Sequence, residues 1–272
     1  MSERQKGLRI LCLGDIVARP GRGALVNLLP VVRKEHEIDF VVANGENASG
    51  GTGLDPRAAR EILKAGVDVI TLGDHTWRHR ELRPFLSKNC HSVIRPANYP
   101  GGAPGRGATV VRLPHGGSIG VMNLIGRVFM NIPLDCPFQK ADELLSHELK
   151  DADVIICDFH AEATSEKIAM GRYLDGRVGL CFGTHTHVQT ADEQVLAKGT
   201  AYITDVGMCG SNAGVIGLDG ETAVDRFVSG LPSSYKPAKG SSRLNGILMD
   251  YDLSEKNVLR LERLNIADVE HS

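Results

Sequence analysis

Short apolar runs alternate with amphipathic stretches through the first third of the chain. Residues 8–13, 40–43 and 67–72 are apolar runs of strand type, each closed by glycine or polar residues. Between them, residues 24–36 carry helical spacing with Pro30 as a kink, and Pro20-Gly21-Arg22-Gly23 reads as a turn. Residues 49–53 form a Gly-rich loop. Asp55 followed by Pro56 reads as an N-cap and first helical position, opening a helix that stops at Gly66. Residues 81–88 predict a short helix. Strand and helix in alternation predict a largely parallel sheet with right-handed crossovers.

The rhythm then changes. Residues 93–94 are a short strand and residues 99–107 a Pro/Gly loop. Residues 109–113 and 118–124 read as adjacent strands of a hairpin around His115-Gly116-Gly117. After an irregular loop over 126–138, helical spacing covers 140–149 and 164–173, and strands are predicted over 154–157, 178–182 and 201–204. Residues 211–242 are rich in Gly and Ser, broken by a helical piece at 221–228. Residues 245–252 and 258–264 alternate apolar and polar side chains, as a hairpin with one wet face would. No repeat, low-complexity tract or linker divides the chain, so one domain over residues 1–272 is expected. Two mixed sheets packed face to face, with helices outside, would house this many strands.

Composition narrows the function classes. At 272 residues with 42% apolar and 24% charged content, the chain can bury a substantial core. A formal net charge of -2 argues against non-specific nucleic-acid binding. None of the six cysteines (Cys12, Cys90, Cys136, Cys157, Cys181, Cys209) forms a C-x-x-C pair, and Cys12, Cys157 and Cys181 sit inside apolar runs as small hydrophobes. A reducing compartment is the expectation. The polar start, residues 1–9, does not read as a signal peptide, and no stretch is long and apolar enough to predict a membrane-spanning helix. The cytoplasm is therefore the expected location, with no membrane partner.

The candidate chemistry lies at the strand ends. Asp15, Glu46-Asn47, Asp74-His75 and His160 each follow a strand, and Gly183-Thr184-His185-Thr186-His187 follows another. In open α/β sheets functional groups gather at the carboxyl ends of strands, so these residues can converge. Singly, each has an ordinary reading: Asp15 a turn former, Glu46-Asn47 a loop, His160 a hydrogen-bonded core histidine. Together they exceed the three protein ligands of one catalytic zinc and suit two metals sharing a carboxylate. Trp77 reads as a packing residue, and Lys167 and Arg172 as a solvated helix face.

Gly14-Asp15-Ile16-Val17, Asn44-Gly45-Glu46-Asn47, Gly73-Asp74-His75-Thr76-Trp77, the run from Asp158-Phe159-His160 through Lys167, the run from Gly183 through Asp192, and Asp205-Val206-Gly207-Met208 resemble the YmdB-like branch of the calcineurin-like metallophosphoesterases. The likeness extends over essentially the whole chain. It implies a four-layer αββα sandwich of two mixed β-sheets flanked by helices, and two divalent or trivalent metal ions, iron or manganese. It implies hydrolysis of phosphodiesters, with 2',3'- or 3',5'-cyclic nucleotides as substrates, by a hydroxide bridging the metals. Carried over by position, Asp15, Glu46, Asn47 and His187 serve one metal, and Asp74, His160 and His185 the other, with Glu46 bridging. His75 is then the catalytic non-ligand, a general acid, and a homo-oligomer is expected.

One departure matters. The family pattern Gly-Asn-His stands here as Gly73-Asp74-His75. An added negative charge should hold the second cation more tightly, blunt its Lewis acidity, and favour the protonated form of His75. Two other readings share the site: a slow or non-catalytic cyclic-nucleotide-sensing regulator, and a dinuclear hydrolase of carboxylic esters or lactones.

Overall fold

A computed structural model describes residues 7–89, 91–114 and 116–268; residues 1–6, 269–272, Cys90 and His115 lie outside them. The chain opens with β1 (Gly7–Ile16), α1 (Ala18–Glu35), β2 (Phe40–Asn44), α2 (Pro56–Lys64), β3 (Val69–Thr71) and α3 (Leu82–Lys88). The middle holds β4 (Ala108–Arg112), β5 (Ser118–Ile125), α4 (Pro137–Ser146), β6 (Val154–His160), α5 (Thr164–Leu174) and β7 (Leu180–Thr184). It ends with β8 (Gln194–Val195), β9 (Ala201–Ile203), β10 (Met208–Ser211), α6 (Gly220–Ser229), β11 (Ser242–Asp252) and β12 (Asn257–Asp268).

Two six-stranded mixed sheets result, in the orders β12-β11-β10-β1-β2-β3 and β4-β5-β6-β7-β9-β8. Their facing sides build one core. Ile10, Cys12, Phe40, Val42 and Val69 of the first sheet meet Ile119, Val121, Ile156, Leu180 and Phe182 of the second. The alternate residues point the other way, as a period of two requires. Leu11, Leu13, Val41 and Ala43 pack with Leu25 and Leu29 of α1 and Ile62 of α2. Met122, Leu124, Cys157 and Cys181 pack with Ala141 and Leu144 of α4 and Met170 and Leu174 of α5. The architecture is the expected helix, sheet, sheet, helix sandwich.

Local signals hold where they carry a mechanism. Asp55 caps α2, its Oδ1 accepting from Arg57 N at 2.8 Å and Ala58 N at 2.9 Å. Residues 109–113 and 118–124 do pair antiparallel, and Cys12, Cys157 and Cys181 are buried free thiols. No helix among the described residues is long and apolar enough to cross a membrane.

Three expectations fail. Pro20-Gly21-Arg22-Gly23 is not a turn but the first turns of α1. Proline is tolerated there because the first N–H groups of a helix have no intrahelical partner. Gly21 is needed for room, since a Cβ would sit 2.2 Å from the Cys209 carbonyl oxygen. The last hairpin does not have one wet face: β11 is buried on both sides, Leu244 and Leu248 facing α1 and Ile247 and Met249 facing the second sheet. β12, at the sheet edge, carries the exposed positions. Lys167 is not solvated; it is 1% exposed, and its Nζ donates to Asp205 Oδ2 at 2.7 Å. Arg172 is exposed, as expected.

The Lys167–Asp205 pair yields a stability prediction. Lys167→Met removes one charge from a fully buried pair and leaves the other uncompensated, which should cost about 3–5 kcal/mol. Urea unfolding measures it, and a loss under about 1 kcal/mol, the level of an exposed pair, would show that the pair does not stabilise the fold.

Candidate metal centre

β1, β2 and β3 run parallel in one sheet, and β5, β6 and β7 in the other, so six carboxyl ends open at one edge of the sandwich. The second strand, β2, ends at Asn44 and turns into Glu46 and Asn47 through Gly45. Glu46 is 0% exposed, and its backbone N–H donates to Asn44 Oδ1 at 3.0 Å. After β3, Gly73 is followed by Asp74 and His75. Trp77 packs edge-on against Tyr99 with centroids 5.4 Å apart, and Tyr99 donates to the Gly73 carbonyl at 3.2 Å. Trp77 is a packing residue, as read, and it backs this turn.

The eight predicted side chains form one connected cluster. His160 Nε2 lies 3.1 Å from Asp74 Oδ1, 3.3 Å from Glu46 Oε2 and 3.0 Å from His185 Nδ1. Glu46, Asp74, His160 and His185 together could hold a metal ion. On the other side of Glu46, Asn47 Nδ2 lies 3.2 Å from Glu46 Oε1 and 3.1 Å from His187 Nε2. Asp15 Oδ1 lies 3.9 Å from both His187 Nε2 and His160 Nδ1. His75 Nδ1 donates toward Asn47 Oδ1 at 2.9 Å and Glu46 Oε1 at 3.1 Å, leaving its Nε2 3.6 Å from Asp74 Oδ2.

The imidazoles are aimed by their other nitrogens, as metal-binding histidines usually are. His187 Nδ1 donates to the Ile216 carbonyl at 2.9 Å, so Nε2 faces inward. His185 sets Nε2 on Glu162 at 3.0 Å and presents Nδ1. His185 and His187 both adopt left-handed backbone, at φ 97 and φ 64, a costly state that surrounding bonds must enforce. Asp15 Oδ2 accepts from His185 N at 3.0 Å, and Asp205 Oδ2 from Thr186 Oγ1 at 2.7 Å.

Sequence reasoning missed the support beneath His160. His160 Nδ1 donates to Thr184 Oγ1 at 2.9 Å, which donates to Asp158 Oδ1 at 2.8 Å. Asp158 is 0% exposed and also accepts from Thr71 Oγ1 and from Asn44 Nδ2. Burial pushes its carboxyl up to about 6, against these donors and the His160 charge. The signal was present: Asp158 and His160 stand two apart on one strand and so share a face.

The electrostatics fit a cation site. Burial raises the Glu46 carboxyl, but His160 and His75 outweigh it and hold it at about 2. Burial likewise opposes ionisation of Asp74, yet the His160 and His185 bonds keep it well below the carboxylate range. His160, despite burial, is raised well above its ordinary value by Glu46, Asp74 and Asp15. The surrounding carboxylates thus favour positive charge at His160, as they would favour a bound cation. Asp15 Oδ1 is buried without a hydrogen-bond partner, although burial pushes this carboxyl up. An orphaned acceptor of this kind is costly, and a cation would satisfy it.

Comparison with known proteins agrees over the whole fold. Residues 11–264 match the family described as YmdB-like protein. The chain is 45% identical over 261 residues to a Bacillus subtilis (strain 168) protein named 2',3'-cyclic-nucleotide 2'-phosphodiesterase, covering 96% of this chain and 98% of that one. It superposes on a hypothetical protein from Thermus thermophilus with a TM-score of 0.90, at 41% identity, covering 96% of this chain and all of that one (100%). A Mycoplasma pneumoniae structure described as a novel phosphatase matches with a TM-score of 0.89 at 34% identity, covering 97% of this chain and 95% of that one. The match is full-length in sequence and in structure, and the chain belongs to the YmdB-like protein family.

Proposed function

We propose that this chain is a metal-dependent phosphodiesterase that hydrolyses cyclic nucleotides, the 2',3'-cyclic class foremost and the 3',5'-cyclic class as the alternative. One observation carries the reading. Glu46 stands between two half-sites, facing His160 on one side and Asn47 and His75 on the other, in a chain 45% identical to a protein named for that activity.

Asp15, Glu46, Asn47 and His187 would hold one metal, and Glu46, Asp74, His160 and His185 the second, iron or manganese in each. Two such ions supply a nucleophilic water at neutral pH and a clamp on the oxygens of an in-line displacement. The remaining work falls to the chain. Asn47, whose Nδ2 lies 3.1 Å from His187 Nε2, would offer its amide to an equatorial phosphoryl oxygen. His75 carries the proton. Its Nδ1 is tied to Asn47 and Glu46, so Nε2 is the atom that faces the leaving oxygen and donates to it. Burial lowers the His75 pKa, but the Glu46 bond and charge and the Asp74 charge raise it overall. Cations on those carboxylates would draw it back toward neutrality, the range a general acid needs. Residues 1–272 are read as one such domain, which a homo-oligomer would repeat.

With metal in excess, to offset the lost bonds to Glu46 and Asn47, His75→Ala should keep its metal content while turnover of a poor leaving group falls about 10²–10⁴-fold. With p-nitrophenolate as the leaving group, which needs little protonation, the loss should be much smaller. Equal metal and unchanged turnover on both would remove His75 from the reaction. The reading as a whole is tested by metal analysis of protein purified without chelator, together with a panel of 2',3'- and 3',5'-cyclic nucleotides and p-nitrophenyl acetate. Cleavage of the acetate alone would replace a phosphodiesterase with an esterase. Tight nucleotide binding without turnover would replace it with a sensor.

A further inference from the structure

The loop after β5 leaves the sheet beside the metal centre, because Ile125 pairs with His160 in register and Gly126 N donates to the His160 carbonyl at 2.9 Å. Three residues on, Phe129 is 80% exposed and belongs to none of the three large apolar clusters. Nothing about its position is relaxed. Met130 N donates to the Arg127 carbonyl at 3.3 Å, closing a four-residue turn in which Phe129 is third, at φ 63. That place suits glycine or asparagine, and a bulky side chain there is an outlier held by its surroundings.

The surroundings hold it firmly. The buried Glu166 carboxylate accepts from Arg127 N at 2.9 Å and Val128 N at 3.2 Å. A Cβ at Gly126 would meet Glu166 Oε2 at 2.4 Å, so the carboxylate fills the space under the turn. Asn98 fastens both ends, its Oδ1 accepting from Ile125 N at 2.9 Å and its Nδ2 donating to the Asp135 carbonyl at 3.0 Å. A buried acid and a buried amide thus fix a turn whose third residue is a large aromatic in water.

We propose that Phe129 is the platform on which the base of the nucleotide stacks while its phosphodiester lies at the metal centre. The proposal rests on the phosphodiesterase reading and adds the element that selects a nucleotide over other phosphodiesters. Three residues span at most about 10 Å, so the backbone of Phe129 stays within that reach of Gly126, whose N–H bonds the His160 carbonyl. Stacking on an exposed aromatic accepts any base, because every base has a π-face. It therefore selects nucleotides as a class rather than one base among them.

The test compares adenosine 2',3'-cyclic phosphate with methyl ribofuranoside 2',3'-cyclic phosphate, which lacks the base. Phe129→Ala should raise KM for the nucleotide about tenfold, within the range of a lost base stack, and leave KM for the base-free compound and kcat for both within about twofold. Phe129→Trp should retain the preference. Phe129→Gly, which suits the φ of 63, should lose it while melting within a few degrees of the unaltered protein. A preference for the nucleotide that survives in Phe129→Ala, or the absence of any preference in the unaltered protein, overturns the stacking role and leaves the phosphodiesterase standing. Hydrolysis of neither compound overturns both.

Discussion

Glu46→Gln protein is expected to fold, to lose its metal, and to lose its activity with it. The substitution keeps the shape of the side chain and removes only the charge and one oxygen. Every neighbour of Glu46 depends on both. Oε1 faces Asn47 Nδ2 at 3.2 Å and His75 Nδ1 at 3.1 Å, while Oε2 faces His75 N at 3.1 Å and His160 Nε2 at 3.3 Å. Loss of even an outer partner of a metal ligand costs about 10–100-fold in affinity, so loss of the carboxylate proposed to bridge the two metals should cost at least about a hundredfold. Turnover should fall by about 10²–10³ or more, the size of losing one preorganised electrostatic contact. Elemental analysis beside turnover and circular dichroism reads all three quantities. Full metal at full rate would show that Glu46 bridges nothing.

The acid stability of the metal-free protein gives the sign independently. The Glu46 carboxyl titrates at about 2 in the fold, below its ordinary 4.5. Its ionisation therefore stabilises the folded chain above pH of about 4.5, and that contribution disappears as the pH falls toward 2. Glu46→Gln should flatten this part of the acid unfolding profile.

Gly73→Ala should be nearly as damaging, for a reason of space alone. A Cβ at Gly73 would lie 2.2 Å from Glu46 Oε2 and 2.4 Å from His160 Nε2. Both side chains are fully buried and cannot withdraw. The methyl group must displace one of them from the cleft, so metal and activity should fall together by about a hundredfold or more. The fold should lose only about 1–3 kcal/mol, as overpacking usually costs. Gly23→Ala is the control, because nothing lies within 4 Å of its added methyl and it stands in helix α1. That change should leave activity intact and stabilise by up to about 1 kcal/mol. Normal metal content in Gly73→Ala would show that the cleft is roomier than its walls.

How much of this was legible beforehand depended on whether the cause was local. Asp55 and Pro56 start α2 through contacts within four residues, so the chain states them openly. β10 has no such signature: Met208–Ser211 is a strand because it lies between β1 and β11, and no alternation marks it. Lys167 looked solvated because Asp205, which buries it, is 38 residues away. The site followed the same division. The eight side chains of the candidate cluster are legible because each follows a strand-like run. For Asp158 the sequence shows only that it shares a strand face with His160; its partner Asn44, 114 residues away, follows from the facing of one sheet on the other.

That same Asp158 has a mechanical consequence. It belongs to one sheet and takes hydrogen bonds from Asn44 and Thr71 of the other, at the rim where both layers open. Sliding the layers past each other would strip a buried carboxyl of its donors, so this rim cannot breathe the way the rest of an apolar sandwich can. The gap between Asp15, Glu46 and Asp74 on one layer and His160 and His185 on the other is pinned before any guest arrives.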